Sequence, residues 1–173
     1  MKNIILIGFM GCGKTSVGKR LAQTLECDFL DTDELIEKEQ GRSISEIFAT
    51  DGEGVFREME TQCLKNLLQK DDSGFVLSVG GGLPIREVNR ELLKKLGDVI
   101  LLHVTPDVVY KRLRNDKTRP LLQDKNPRGR IVDLMNARKT FYEDAATHVV
   151  EVSDRSFEEI VREILNINRK EEP

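Results

Sequence analysis

Short apolar runs alternate with amphipathic stretches along most of the chain. Strands are predicted at Lys2–Ile7, Asp28–Asp31, Phe75–Val79, Val99–Val104 and His148–Val152. Apolar residues recur at helical spacing between them. Helices are predicted at Val17–Leu25, Leu35–Glu39, from Ser43, Val55–Leu68, Arg86–Leu96, Pro106–Arg114, Ile131–Tyr142 and Phe157–Asn166. This alternation predicts a three-layer α/β/α fold with a five-stranded parallel sheet, whose ligands bind at the carboxyl ends of the strands.

Composition limits the class of protein. The chain has 173 residues, 39% of them apolar, which suffices for the core of one domain. It has no apolar run of the roughly 18 residues that a membrane span needs, so no membrane partner is expected. Cys12, Cys27 and Cys63 form no close pair. We therefore expect neither a disulfide framework nor a zinc site, and we expect a reducing, cytoplasmic location.

Charge is distributed unevenly along the chain. The formal net charge is −3, which does not indicate a nucleic-acid partner. Between Lys111 and Lys139, however, ten basic and three acidic residues give +7, so the rest of the chain carries −10. This basic segment includes a polar stretch without periodicity, Asn115–Pro127, which is predicted to be a mobile loop. The segregation indicates an anionic ligand.

A glycine-rich motif follows the first strand. Residues 8–15 read Gly-Phe-Met-Gly-Cys-Gly-Lys-Thr, which matches G-x-x-x-x-G-K-S/T between a strand and a helix. Backbone amides of such a loop surround phosphates, the lysine reaches the β- and γ-phosphates, and the Thr15 hydroxyl can bind Mg²⁺. A plain glycine turn would not explain Lys-Thr at this offset. We predict ATP contacts at Gly11, Cys12, Gly13, Lys14, Thr15 and Ser16.

Two aspartates end the second strand. If the strand stays extended through Asp33, Asp31 and Asp33 lie on one face, beside the glycine-rich loop. A kinase needs one carboxylate near Mg²⁺ and one that accepts a proton from the substrate hydroxyl. In the alternative, Asp33 only caps the helix at Leu35 and Asp31 is solvated. The third strand ends in glycines and not in aspartate, which favours Asp31 as the magnesium ligand.

Arginines and a glycine triplet complete the candidate site. Glu60 lies three residues after Arg57. The two side chains either form an ordinary exposed ion pair, or Glu60 holds the Arg57 guanidinium in place so that it can bind a substrate carboxylate. Gly80, Gly81 and Gly82 end a strand and indicate close approach of backbone to a ligand. Arg119 in the loop can neutralise charge on a transferred phosphoryl group. Arg119 and Arg138 can also be ordinary surface charges.

Together these motifs resemble the shikimate kinase family, within the P-loop kinases related to nucleoside-monophosphate kinases. The matching segments are residues 8–15, Asp31-Thr32-Asp33, Phe56–Glu60, Gly80–Gly82, Arg119–Leu122, and Arg138 with Tyr142. The resemblance covers essentially the whole chain. It implies one kinase domain over residues 1–173, sheet order 2-3-1-4-5, a substrate-binding helical region at about 32–62 and a mobile lid at about 113–127.

The resemblance also implies roles for single residues. Asp31 and Thr15 would support Mg²⁺, and Asp33 would bind shikimate hydroxyls and serve as a base. Arg57 and Arg138 would hold the shikimate carboxylate, and Gly80–Gly82 would line its pocket. Lys14 and Arg119 would stabilise the transferred group, and Arg112 would pack against adenine. Residues 153–157 stand where many relatives carry Asn-Pro near adenine, and Arg155 is the predicted nucleotide contact there.

The expected reaction is transfer of the γ-phosphoryl group of ATP to the 3-hydroxyl of shikimate, giving 3-phosphoshikimate in the chorismate and aromatic amino-acid pathway. The resemblance favours a monomer. Alternative acceptors are another small hydroxy acid, such as gluconate, or a nucleoside monophosphate. Two non-enzymatic alternatives are an ATP-responsive regulatory domain and nucleic-acid binding through the basic segment, which would depend steeply on salt.

Overall fold

A five-stranded parallel sheet forms the centre of the fold, in a computed structural model that describes residues 1–70, 74–116 and 123–170. Its strands are β1 (Ile4–Ile7), β2 (Asp28–Asp31), β3 (Phe75–Ser78), β4 (Asp98–His103) and β5 (His148–Glu151). Their order is β2-β3-β1-β4-β5, which confirms the predicted order.

Burial explains why β1 lies in the middle of the sheet. All four of its residues, Ile-Ile-Leu-Ile, are buried on both faces. Ile5 lies opposite Leu77 of β3 on one side and Val99 of β4 on the other. A strand that is apolar on both faces is stable only where layers cover both sides of the sheet.

Helices supply those two layers. Their bounds are α1 (Lys14–Leu25), α2 (Thr32–Gln40), α3 (Ile44–Asp51), α4 (Glu53–Leu68), α5 (Glu87–Leu96), α6 (Pro106–Leu113), α7 (Pro127–Ala145) and α8 (Phe157–Lys170). α1 and α8 contact each other in one layer, whereas α4, α5 and α7 form the second layer. None of the helices in the described ranges has both the length and the apolar character needed to cross a bilayer.

Three local features differ from the predicted elements. α2 begins at Thr32, so the chain does not stay extended through Asp33. α7 begins at Pro127, four residues before the predicted start, because proline suits the first helical position and the Asn126 side chain accepts a hydrogen bond from the Gly129 amide. A 3₁₀ turn at Leu83–Ile85, which was not predicted, follows the glycine triplet.

Asn3 joins three strands at the amino edge of the sheet, the edge opposite the glycine-rich loop. Its carbonyl oxygen accepts the Asp98 amide at 2.9 Å, and its Oδ1 accepts the Phe75 amide at 3.1 Å. Its Nδ2 donates to the Leu96 carbonyl at 2.8 Å. The Asn3 side chain thus satisfies backbone groups at the start of β3 and the end of α5, and its backbone carbonyl satisfies the first amide of β4.

Candidate active site at the carboxyl edge of the sheet

A cavity of about 700 Å³ opens at the carboxyl ends of β1, β2 and β3. The structure brings most of the predicted site residues to its wall, although they come from distant parts of the sequence. These residues are Gly11, Gly13, Lys14, Thr15, Ser16, Asp31, Asp33, Arg57, Gly80, Gly81, Gly82 and Arg138. One cavity therefore contains the glycine-rich loop, two aspartates and two arginines.

The glycine-rich loop lies between β1 and α1. Gly11 and Gly13 have φ of 75° and 96°, values that side chains disfavour, so the loop conformation itself requires glycine there. The Lys14 Nζ lies at the cavity wall and donates to the carbonyls of Gly8 at 2.7 Å and Phe9 at 3.2 Å. The free amides at the start of α1 and the Lys14 charge make this end of the cavity suited to phosphate.

Asp31, and not Asp33, caps α2. The Asp31 Oδ1 accepts the Asp33 amide at 2.9 Å and the Glu34 amide at 3.4 Å. The expectation that the strand stays extended through Asp33 is wrong, and so is the alternative that Asp33 caps a helix starting at Leu35. Asp-Thr-Asp bends because a strand-end aspartate satisfies the free amides of the next helix. Asp33 lies in the first turn of α2 and lines the cavity with Asp31.

Asp33 and Glu60 both lie close to the position that a side chain at Gly80 would occupy. A Cβ added to Gly80 would lie 3.1 Å from the Asp33 Oδ1 and 3.2 Å from the Glu60 Oε2. Burial, with the Asp31 charge adding to it and Lys14 opposing it, raises the pKa of Asp33 to about 6. Burial also raises the pKa of Glu60 to about 7, although Arg57 opposes the shift. The buried Glu60 Oε2 has no hydrogen-bond partner in the described part of the chain.

Arg57 is held by two glutamates on its own helix. The Arg57 Nη1 donates to the Glu60 Oε1 at 2.6 Å, and its Nη2 donates to the Glu53 Oε1 at 3.1 Å. The Glu60 side chain is only 1% exposed, so solvent screens this ion pair little. The predicted pairing of Arg57 with Glu60 is confirmed, and the pair lies in the cavity and not on an open surface.

Arg138 approaches the cavity from α7. Its guanidinium lies 5.7 Å from the centre of the Phe9 ring, and its buried Nε has no hydrogen-bond partner in the described ranges. One turn later, the Tyr142 hydroxyl donates to the Gly81 carbonyl at 2.7 Å. Burial raises the pKa of Tyr142 to about 12, so this hydroxyl keeps its proton. The glycine triplet is thereby attached to the helix that carries Arg138.

An apolar wall faces the charged groups, and the sequence reasoning missed it. Ile44, Phe48 and Phe56 line the cavity, and the rings of Phe48 and Phe56 are 4.9 Å apart. The available signal was the position of Ile44 and Phe48, four residues apart on α3, next to the helix that carries Arg57. Such a wall suits a ligand with one apolar face.

Three predicted nucleotide contacts lie away from this cavity. Arg112 donates to the Gly11 carbonyl at 2.8 Å and so touches the loop from outside. Cys12 is buried beneath the loop. Arg155 donates to Glu163 at 2.5 Å and to the Glu151 carbonyl at 2.9 Å. Arg119 lies outside the described residues, so the structure does not locate it.

Comparisons with known proteins agree with this geometry. The shikimate kinase family model matches residues 10–168. A shikimate kinase of Thermodesulfovibrio yellowstonii is 47% identical over 84% of this chain and 83% of its own. One of Enterococcus faecalis is 44% identical over 95% of this chain and 97% of its own. The solved shikimate kinase of Acinetobacter baumannii, in complex with shikimate, is 37% identical, with a TM-score of 0.90 over 99% of this chain and 95% of its own. The chain belongs to the shikimate kinase family.

Proposed function

We propose that this chain transfers the γ-phosphoryl group of ATP to the 3-hydroxyl of shikimate, and that the cavity described above holds shikimate and the phosphates of ATP. One observation carries the assignment: Arg57 and Arg138 line the same cavity as Asp33 and the glycine-rich loop. The cavity thus combines two cations that can bind a carboxylate, a carboxylate that can accept a hydrogen bond from a hydroxyl, and a loop that can bind phosphates. That an Acinetobacter baumannii relative was solved with shikimate supports this choice of acceptor.

The glycine-rich loop binds the phosphates of ATP in this proposal. Amides of the loop and of the α1 N-terminus contact the phosphates, and Lys14 contacts the β- and γ-phosphates. Arg112 touches the loop at Gly11 and is assigned to the nucleoside, beyond the phosphates. Because the transition state of phosphoryl transfer is loose, these charges act by positioning and by neutralising the transferred group.

Arg57 and Arg138 form what we name the carboxylate clamp, which binds the shikimate carboxylate. A guanidinium offers two parallel donors that match a carboxylate, and Glu60 fixes the Arg57 guanidinium in place. The Gly80–Gly82 backbone and the apolar wall contact the ring between the clamp and Asp33. The carboxylate and the 3-hydroxyl are then bound at separate positions of one small ring, an arrangement of groups that a nucleotide does not offer.

Asp33 orients the attacking hydroxyl and accepts its proton. A pKa of about 6 keeps Asp33 ionised near pH 7 and leaves it more basic than an ordinary aspartate. Its burial beside Gly80 also limits competition from water. We therefore assign to Asp33 both the orientation of the 3-hydroxyl and the acceptance of the proton released on transfer.

The site fits Mg²⁺ that binds together with ATP. Thr15 and Asp31 line the cavity beside the loop, which gives one hydroxyl and one carboxylate. The described residues contain no cluster of three His, Cys, Asp or Glu side chains that could hold a metal ion. Mg²⁺ generally binds through one or two protein oxygens together with phosphates and waters, so this donor set suits it. When bound, Mg²⁺ would neutralise charge on the β- and γ-phosphates.

Measurement of ADP release tests the proposed acceptor. Purified protein with Mg-ATP is assayed with shikimate, quinate, gluconate and nucleoside monophosphates in turn. We expect release that depends on shikimate and saturates with it, and a product phosphorylated at the 3-hydroxyl by NMR. Tight ATP binding without ADP release on addition of shikimate would instead support a regulatory ATP-binding domain, and preference for gluconate or a nucleotide would change the acceptor.

Several predictions from the sequence remain part of the proposal. The lid at about 113–127, with Arg119 contacting the transferred group, lies partly outside the described residues.

Cys12, Cys27 and Cys63 are free thiols, in keeping with a reducing cytoplasm. We also propose a monomer, which light scattering at assay concentrations checks.

A further inference from the structure

Two neighbouring side chains of α5 hold the turn that follows the glycine triplet. The Asn89 Nδ2 donates to the Leu83 carbonyl at 2.9 Å. The Arg90 Nη1 donates to the carbonyls of Pro84 at 3.0 Å and Ile85 at 2.8 Å. We name residues 80–85 the glycine turn. The carbonyls of its last three residues therefore accept hydrogen bonds from α5, whose two side chains do not line the cavity.

The same two side chains reach the helices of the carboxylate clamp. On α4, the Thr61 hydroxyl donates to the Asn89 Oδ1 at 2.7 Å and lies 3.2 Å from the Arg57 carbonyl. On α7, the Asp144 Oδ2 accepts from the Arg90 Nε at 2.5 Å. The Arg90 guanidinium also lies 5.2 Å from the centre of the Phe141 ring on α7. α5 thus connects the glycine turn to both helices.

Arg90 differs from an ordinary surface arginine. Its side chain is 13% exposed, and its guanidinium contacts a carboxylate, two carbonyls and a ring. Arg86, the residue that caps the start of α5, is 32% exposed and makes one ion pair, at 2.6 Å, with a Glu58 that is 71% exposed. A single exposed pair contributes little. A planar guanidinium bonded on several sides instead fixes the relative position of the groups around it.

We propose that Arg90 is a positioning residue for the substrate carboxylate. It fixes α7, and with it Arg138, relative to the glycine turn and so relative to Arg57. The inference rests on the proposed roles of Arg57 and Arg138. Without Arg90, α7 and the glycine turn retain the Tyr142–Gly81 hydrogen bond and their direct packing but lose the bridge that Arg90 forms from the Pro84 and Ile85 carbonyls to Asp144. The two guanidiniums then no longer match one carboxylate.

The inference predicts an effect on one substrate only. No described hydrogen bond of Asn89 or Arg90 involves the glycine-rich loop or α1. Loss of the Arg90 side chain therefore disturbs the shikimate end of the cavity more than the ATP end. A loss of general stability would weaken both ends, so the two Michaelis constants distinguish positioning from mere structural support.

Steady-state kinetics of Arg90→Ala, with Arg86→Ala as the matched control, test the proposal. For Arg90→Ala we expect the KM for shikimate to rise by about tenfold or more, because misplacement by about 1 Å costs up to about a hundredfold. The KM for ATP should stay within about twofold. Arg86→Ala removes an arginine four residues before Arg90, at the cap of the same helix, and should change neither constant. An unchanged KM for shikimate, or equal rises for both substrates, would overturn the inference.

Two further variants separate geometry from charge and from folding. Arg90→Lys keeps the charge, but its single nitrogen cannot make both the Nε and the Nη1 contacts, so its KM for shikimate should stay raised. A normal KM for shikimate in the lysine variant would overturn the positioning role of Arg90. Asp144→Ala changes an exposed residue and removes the ion pair between α7 and Arg90, leaving only the Phe141 contact, and it should also raise the KM for shikimate. Lys94→Ala, which removes the other partner of Asp144 at 3.7 Å, is its control.

The outcome is distinguishable from failure of the proposed function. If the unaltered protein releases no ADP with shikimate, the proposed function fails. If it does, and Arg90→Ala and Asp144→Ala both keep the normal KM for shikimate, only the inference fails. Should Arg90→Ala not fold, Asp144→Ala decides: a raised KM supports the role of Arg90, and a normal one overturns it.

Discussion

Gly82 is where the backbone of the glycine turn meets the carboxylate clamp. A Cβ added at this position would lie 2.6 Å from the Arg57 Nη2, 2.8 Å from its Nη1 and 2.9 Å from its Cζ. Ordinary contacts of a Cβ begin at 3.4 Å. In Gly82→Ala the Arg57 guanidinium must therefore retreat from 2.6 Å to at least 3.4 Å, a movement of about 0.8 Å that disturbs its alignment with Glu60.

This substitution should affect activity far more than stability. Gly82 has φ of −92° and ψ of −9°, which alanine also adopts, and the displaced atoms are the end of a flexible side chain. One charge-assisted hydrogen bond contributes about 1.5–3 kcal/mol. If Arg57 loses such a bond to the substrate carboxylate, kcat/KM for shikimate falls by about 10- to 150-fold.

Coupled ADP release at saturating ATP measures this effect, and calorimetry measures the Tm. Gly54→Ala is the matched control, because Gly54 lies on the same helix as Arg57 and an added Cβ there meets nothing within 4 Å. It should keep the normal kcat/KM and gain about 0.5–1 kcal/mol of stability from the better helix former. A folded Gly82→Ala variant with normal kcat/KM for shikimate would refute the role of Arg57.

Three other variants or conditions test separate parts of the molecule. Asp33→Asn should lower kcat by about 10²-fold or more while calorimetric ATP binding stays nearly unchanged; normal turnover would remove Asp33 from the mechanism. The folded-state pKa of Asp33, about 6, exceeds its ordinary value, so ionised Asp33 costs stability as pH rises from about 4 to 6. At pH 8 the Asp33→Asn variant should therefore be more stable than the unaltered protein by at most about 3 kcal/mol, and at pH 3 it should show no such gain. An equal difference in stability at both pH values would contradict the raised pKa of Asp33. Gly18→Ala would place a methyl group against the Phe29 ring, and it should lower the free energy of unfolding in denaturant by about 1–3 kcal/mol without changing the enzyme kinetics. A normal unfolding midpoint would show that α1 and β2 can move apart at no cost in stability.

The strands and the glycine-rich loop could be predicted because their signals are local. β1 and β3 are short apolar runs that end in glycine, and the Lys14-Thr15 offset is tied to one loop geometry. The order of the strands came from family resemblance, since no local pattern determines which strands become neighbours. The capping box at Ser43 is similarly local, and the structure contains it.

Features that depend on tertiary burial could not be predicted in this way. The pKa of Glu60 rises because α4 packs that carboxylate against Gly80, which is twenty residues away. Asn89 is polar yet fully buried, and its side chain is satisfied by the Leu83 carbonyl and the Thr61 hydroxyl, partners that only the packed fold brings to it. Arg155 carries the charge expected of a nucleotide contact, but Glu163 on α8 engages its guanidinium, a pairing that only the packed helix brings about.

The Asn3 side chain has a consequence for engineering. It bonds the start of β3 to the end of α5 at the amino edge, beside the Asn3 carbonyl that bonds to the start of β4, and none of these partners lines the active-site cavity. Cohesion of the sheet and recognition of substrates are therefore separate properties of opposite edges. Substitutions that raise the melting temperature are best sought around Asn3, where added rigidity does not restrain the groups that must adjust during turnover.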